Sequence, residues 1–154
     1  MERKKTLINA IAKIEGGKGY PDLNGTATFV QTNRGVLVTV KVNKLPQTST
    51  CNGGIFALHI HEGESCTGTK ADQFSNAKTH YNPLNCPHPY HAGDLPPLIG
   101  NDGFAYMSLL TNRFTVDEII NKVIVIHANK DDFTTQPSGN AGTKIGCGKI
   151  LHQQ

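Results

Sequence analysis

Leu58-His59-Ile60-His61-Glu62 alternates apolar and imidazole side chains. In an extended strand successive side chains point to opposite faces, so His59 and His61 share one face and Leu58 and Ile60 the other. Two imidazoles on one face invite a metal, although a His-x-His taken alone is more often a pair of solvated strand residues. This one is accompanied. His80, His88, His91 and Asp94 follow within a short stretch, and His127 ends the run Val123-Ile124-Val125-Ile126-His127, which leaves only His152 outside the set. His59, His61 and His127 would present three nitrogen ligands from a rigid scaffold, a set that suits copper or zinc. His88, His91 and Asp94, if His80 joins them, would make a tetrahedral zinc site with no open position. His80 could serve both groups, because an imidazole has two ring nitrogens.

The rest of the chain must hold these groups in place. Its 154 residues are expected to form a single domain, 1–154, with one core. Trp is absent, Gly is plentiful and the apolar runs are short, which favours many short strands with tight turns over long helices. Alternation predicts a strand over about 6–13, of a kind that suits a half-buried edge. The β-branched runs 25–31 and 35–42, joined by Thr32-Asn33-Arg34, read as a hairpin. A strand at 55–61 carries the first two histidines, and periodicity then stops from 62 to 94. A structureless segment of that length is usually functional or disordered, and its metal-binding side chains decide for function. Strands at 95–99 and 104–110 flank the turn Gly100-Asn101-Asp102-Gly103. Thr115 and Glu118 have capping-box spacing for one helical turn. Strands at 122–127 and 144–151 enclose a second polar loop at 128–143. The count is eight short strands, at most one helical turn and two long functional loops, an all-β antiparallel sandwich or flattened barrel.

A formal charge of +3, scattered and without Lys/Arg blocks, argues against a nucleic-acid partner and leaves a small anion as a plausible target. No run approaches a membrane span. The start Met1-Glu2-Arg3-Lys4-Lys5-Thr6 is charged, and Leu7-Ile8-Asn9-Ala10-Ile11 lacks the apolar centre of a signal peptide. The chain as written is therefore expected to be cytoplasmic, and exported if it is a trimmed form.

The stretches Leu58-His59-Ile60-His61-Glu62, Thr79-His80-Tyr81-Asn82-Pro83, His91-Ala92-Gly93-Asp94-Leu95, Val125-Ile126-His127 and Gly139-Asn140-Ala141-Gly142-Thr143-Lys144-Ile145-Gly146-Cys147-Gly148 resemble the copper/zinc superoxide dismutases. The match covers nearly the whole chain, in the family's order. The short turn Glu62-Gly63-Glu64-Ser65-Cys66 and the long stretch before His80 look like the bacterial branch. The resemblance implies an eight-stranded Greek-key β-barrel that converts superoxide to dioxygen and hydrogen peroxide, as monomer or homodimer. It implies copper held by His59, His61, His80 and His127, and zinc held by His80, His88, His91 and Asp94. In the family His80 would also carry a proton between the two half-reactions. Asp131 matches a carboxylate that links a copper histidine, here His59, to a zinc histidine, here His88. Cys66 and Cys147 match the family's disulfide. Cys51 and Cys86 could pair only if Gly53 and Gly54 fold the chain back, since a bridge needs α-carbons within about 7 Å.

The sequence departs from the family at Lys144, where an arginine is usual. Lysine keeps the charge that would guide the anion but loses the planar fork that docks it. Ala77-Lys78-Thr79 also stands where small glycines are common, so the partner of residue 144 is expected to differ; Lys78 and Lys130 could add positive field near the mouth. The competing reading is a non-enzymatic zinc- or copper-binding protein of the same fold. The persistence of all four copper-type histidines and a loop cation speaks for the enzyme, and a closed zinc shell speaks against a zinc hydrolase.

Overall fold

The computed structural model describes residues 9–47 and 51–153. Eight strands, β1 (Asn9–Gly16), β2 (Asn24–Thr32), β3 (Gly35–Asn43), β4 (Ile55–His61), β5 (Asp94–Ile99), β6 (Ala105–Thr111), β7 (Val123–His127) and β8 (Lys144–His152), form one antiparallel sheet in the order β5-β4-β7-β8-β1-β2-β3-β6. Its ends, β5 and β6, lie against each other and are joined by a tight turn in which Asn101 and Phe104 exchange backbone hydrogen bonds, so the sheet curls into a nearly closed Greek-key barrel. Closure removes the sticky edges of an open sheet. One short helix, α1 (Val116–Ile119), starts on a complete capping box between Thr115 and Glu118, as the spacing predicts.

Alternation decides what fills the barrel. In β3, Val36, Val38, Val40 and Val42 are buried while Leu37 and Lys41 face out. Phe29, Leu58, Ile60, Ile124, Ile126, Ile145 and Ile150 complete the core, each fully or nearly fully buried and worth about 1.5–3 kcal/mol of burial. The first strand departs from expectation. Residues 6–8 lie outside the described part; from Asn9 the strand runs on to Gly16 and pairs with both β2 and β8, so it is interior and not an edge. Alternation reports which face of a strand is wet, and in a barrel every strand has a wet outer face whatever its neighbours.

β4 and β7 are buried on both faces from Phe56 to His61 and from Val123 to His127, as is the neighbouring part of β8 over 145–148. Leu58, Ile60, Ile124 and Ile126 point into the barrel. On the other face Val123, Val125 and Cys147 form a second cluster with Phe74, Ala77 and Cys66, all from the long loop 62–93. That loop also contains the short 3-10 turn Ser75–Ala77 and is tied to β8 by the disulfide Cys66–Cys147, with α-carbons 5.7 Å apart. Cys51 and Cys86 are free. The outer face of β4 and β7, where His59, His61 and His127 stand, is thus roofed by loop rather than exposed to water.

Candidate metal centre

Pairing register brings the donors together. His59 lies opposite Asp94 across β4 and β5 and opposite Val125 across β4 and β7; His61 pairs with His80 in an isolated bridge; His127 lies opposite Lys144. Six histidines and Asp131 are buried here. One ligand atom from each of His59, His61, His80 and His127 falls within a 4.8 Å cluster, and the same holds for His59, His80, His88 and Asp94.

The hydrogen bonds show which nitrogen of each ring is free. His59 Nε2 donates to Asp131 Oδ2 at 2.8 Å, His61 Nδ1 to the Lys78 carbonyl at 2.8 Å, and His127 Nδ1 faces the Gly142 carbonyl at 3.5 Å. Each neutral ring has one proton, so the other nitrogen carries a lone pair. Those nitrogens face one another: His127 Nε2 is 3.1 Å from His59 Nδ1 and 3.2 Å from His61 Nε2. His80 Nε2 is buried without any hydrogen-bond partner. Converging lone pairs with no proton between them repel unless a cation sits among them, and imidazole donors fit copper or zinc.

On the other side of His80 the pattern repeats. His80 Nδ1 is 2.8 Å from Asp94 Oδ1 and 3.1 Å from His91 Nδ1; His91 Nδ1 is 3.3 Å from Asp94 Oδ2. His88 Nε2 donates to Asp131 Oδ1 at 2.8 Å, so its Nδ1 carries the lone pair; that atom lies 3.0 Å from Asp94 Oδ2 but outside hydrogen-bond geometry, an orphan. A lone pair against a carboxylate again calls for a cation. His59 is near this second group too, but both its nitrogens are committed, to Asp131 and toward His127. His80 alone offers a nitrogen to each side.

Burial favours the neutral, metal-binding form of four of these rings. It pushes the His127 pKa down to about 3, with His59 adding to the effect, and lowers His59, His61 and His91 as well. For Asp131 burial works the other way but is outweighed by hydrogen bonds from His59, His88 and the Phe133 N–H, which hold it well below the usual carboxylate range. Asp131 thus fixes one ring of each group. It needs room: a Cβ on Gly139, whose φ is +74°, would come within 2.0 Å of Asp131 Oδ1 and 2.6 Å of His88 Nε2.

An open pocket of about 520 Å³ leads to His61, His80 and His127, with Glu62, Lys78 and Lys144 on its wall. Lys130 lies elsewhere, in a depression beside Cys51. Gln136 and Asp72 carry no signal in the sequence, and Lys78 stands out there only as a departure and a possible charge. Gln136 brackets His88, accepting from its N–H at 2.9 Å and donating to its carbonyl at 2.7 Å. Asp72, from an unpatterned loop, binds Lys144 Nζ at 2.7 Å. Lys78 orients His61 through its backbone carbonyl, and does so at φ 63° and ψ −146°. That region is close to glycine's alone and costs other residues about 1–3 kcal/mol. Lys78→Gly is accordingly expected to raise the melting temperature of the metal-free protein by about 2–4 °C. An unchanged or lower temperature in calorimetry would show that the backbone there is not strained.

The family model described as copper/zinc superoxide dismutase matches residues 23–150. The chain is 33% identical over 158 residues to superoxide dismutase [Cu-Zn] 2 of Aquifex aeolicus, covering 93% of this chain and 86% of that protein. It is 34% identical over 134 residues to the superoxide dismutase [Cu-Zn] of Legionella pneumophila, covering 82% and 76%. The solved structure of Cu/Zn superoxide dismutase from Brucella abortus superposes with a TM-score of 0.76 at 25% identity, covering 92% of this chain and 98% of the other.

Proposed function

The chain belongs to the copper/zinc superoxide dismutase family, and from that premise we propose that its two histidine groups divide the metals between them. Copper would be held by His59, His61, His80 and His127, and zinc by His80, His88, His91 and Asp94. The protein is an enzyme with copper and zinc as cofactors, and its substrate is the superoxide anion. Bound copper supplies alternate one-electron oxidation and reduction, by which two superoxide ions and two protons become dioxygen and hydrogen peroxide.

The chain's own residues do the rest. Asp131 holds the His59 and His88 rings in the tautomers that leave their Nδ1 lone pairs free. The Lys78 carbonyl does the same for His61. His80 is held at Nδ1 beside Asp94, and its Nε2 is buried with no hydrogen-bond partner. When that atom is not held by copper, it is where we place the proton passed to the reduced anion. The pocket is lined by His61, His80 and His127 and also by His91, so an anion entering it reaches three histidines of the first group and one that belongs to the second group alone.

The observation that carries this reading is the convergence of protonless nitrogens on two points that share His80. Its test is reconstitution of the metal-free chain with both metals, followed by metal analysis and pulsed superoxide decay. We expect one copper and one zinc per chain and decay approaching the diffusional ceiling of about 10⁸–10⁹ M⁻¹s⁻¹. A chain that binds both metals yet leaves superoxide decay at the uncatalysed rate is instead a metal-binding protein of the same fold.

A further inference from the structure

We propose that Asp72 sets how strongly this site captures its anion: its carboxylate, 2.7 Å from Lys144 Nζ, already pairs with the ammonium of a residue that lines the pocket leading to the histidines. The inference rests on the superoxide site assigned above and concerns a residue that the metal groups do not include.

Both partners are held in place. Lys144 is the first residue of β8, opposite His127 in the β7–β8 ladder, and its side chain is only 19% exposed. Asp72 sits in a turn closed by hydrogen bonds from Thr69 N–H to its carbonyl, 2.8 Å, and from its own N–H to Thr69 Oγ1, 3.2 Å. Its Oδ1 accepts from the Phe74 N–H at 3.0 Å, which aims Oδ2 at Lys144. Phe74 in turn is packed against Val123 and Val125. The ion pair is therefore a fixed arrangement on anchored backbone.

A carboxylate and superoxide are alike in what they offer an ammonium, a single negative charge on oxygen. An anion arriving at Lys144 must share or displace Asp72, and until it does the pair contributes no net charge to the mouth. The remaining rim charges, exposed Glu62 and exposed Lys78, cancel in sum. The state of Lys144 thus decides whether the mouth is neutral or positive. The pair is hardly needed as a clamp, because Cys66–Cys147 already ties the same loop to the same strand.

The experiment is azide titration of the copper- and zinc-loaded protein, followed by the visible band of the copper(II) adduct at several ionic strengths. Asp72→Asn, Lys144→Gln and the double variant complete a mutant cycle. Asp72→Asn is expected to tighten azide binding about three- to fivefold, with a steeper loss at high salt, as suits one partly exposed charge. On the Lys144→Gln background the same change is expected to gain less than about twofold, since no ammonium is there to release. Equal gains on both backgrounds would mean that Asp72 acts only through its distant field, and overturn the proposal. So would a variant that melts lower but binds azide unchanged, the mark of a clamp. Metal analysis beside each titration separates the two levels: a chain that takes up no copper overturns the metal assignment as well, whereas copper-bearing chains with equal gains overturn Asp72 alone.

Discussion

Replacing His61 with alanine is expected to lower superoxide decay by the copper-loaded protein by more than about a hundredfold, since even residues that merely support a ligand cost ~10–100-fold when lost. The barrel is expected to survive. His61 is on the outer face of β4, while Leu58 and Ile60 on the inner face carry the packing. The change removes one hydrogen bond, from His61 Nδ1 to the Lys78 carbonyl, worth about 1 kcal/mol. Leaving His61 Nε2 out of the group also relieves the crowding of lone pairs at His127 Nε2, 3.2 Å away. Circular dichroism and a thermal melt of the metal-free variant check the fold; stopped-flow superoxide decay checks the site. Undiminished activity in a His61→Ala chain carrying full copper would remove His61 from the proposed ligand set.

The second large effect is on stability. Cys66 and Cys147 are separated by 81 residues. By the chain-entropy estimate, closing a loop of that length is worth about 4.5 kcal/mol, a large part of a typical domain's stability. Cys66→Ser with Cys147→Ser is expected to lose about that much in denaturant unfolding. The loss is expected to be local in its consequences. The loop 62–93 is tied to β8 by the disulfide, packs Phe74 and Ala77 against Val123 and Val125 of β7, and hydrogen-bonds to β4 through Tyr81 and Gly93, and it delivers His80, His88 and His91. Without the bridge those three should become mobile before the barrel unfolds, so zinc affinity should fall before the strand signal does. Thiol titration of the denatured, unreduced protein should find two free thiols, Cys51 and Cys86. Four would show that no bridge forms.

The strands were legible because their signal is local. A period of two along residues 36–42 or 58–61 names the buried face without knowledge of the partner strand. The same period turned His59 and His61 away from the core side chains Leu58 and Ile60, and the capping box at Thr115 needs only four consecutive residues. The donor set was legible too, because histidines and a carboxylate crowded into one apolar-poor stretch have few other uses. Which strands neighbour which was not: β1 read as an edge and sits between β8 and β2. Nor does residue order say which ring nitrogen is free, since that depends on acceptors far along the chain, the Lys78 carbonyl for His61 and Asp131 for both His59 and His88. Lys144 shows the difference most clearly. Its type and place announced a cation beside the histidines, and that much is set by sequence. Its partner is Asp72, 72 residues away in a loop with no periodicity, and only closure of that loop over β7 makes them neighbours. A charge is written in the side chain. Whether it is open to an anion or already taken is a matter of distance, which folding alone decides.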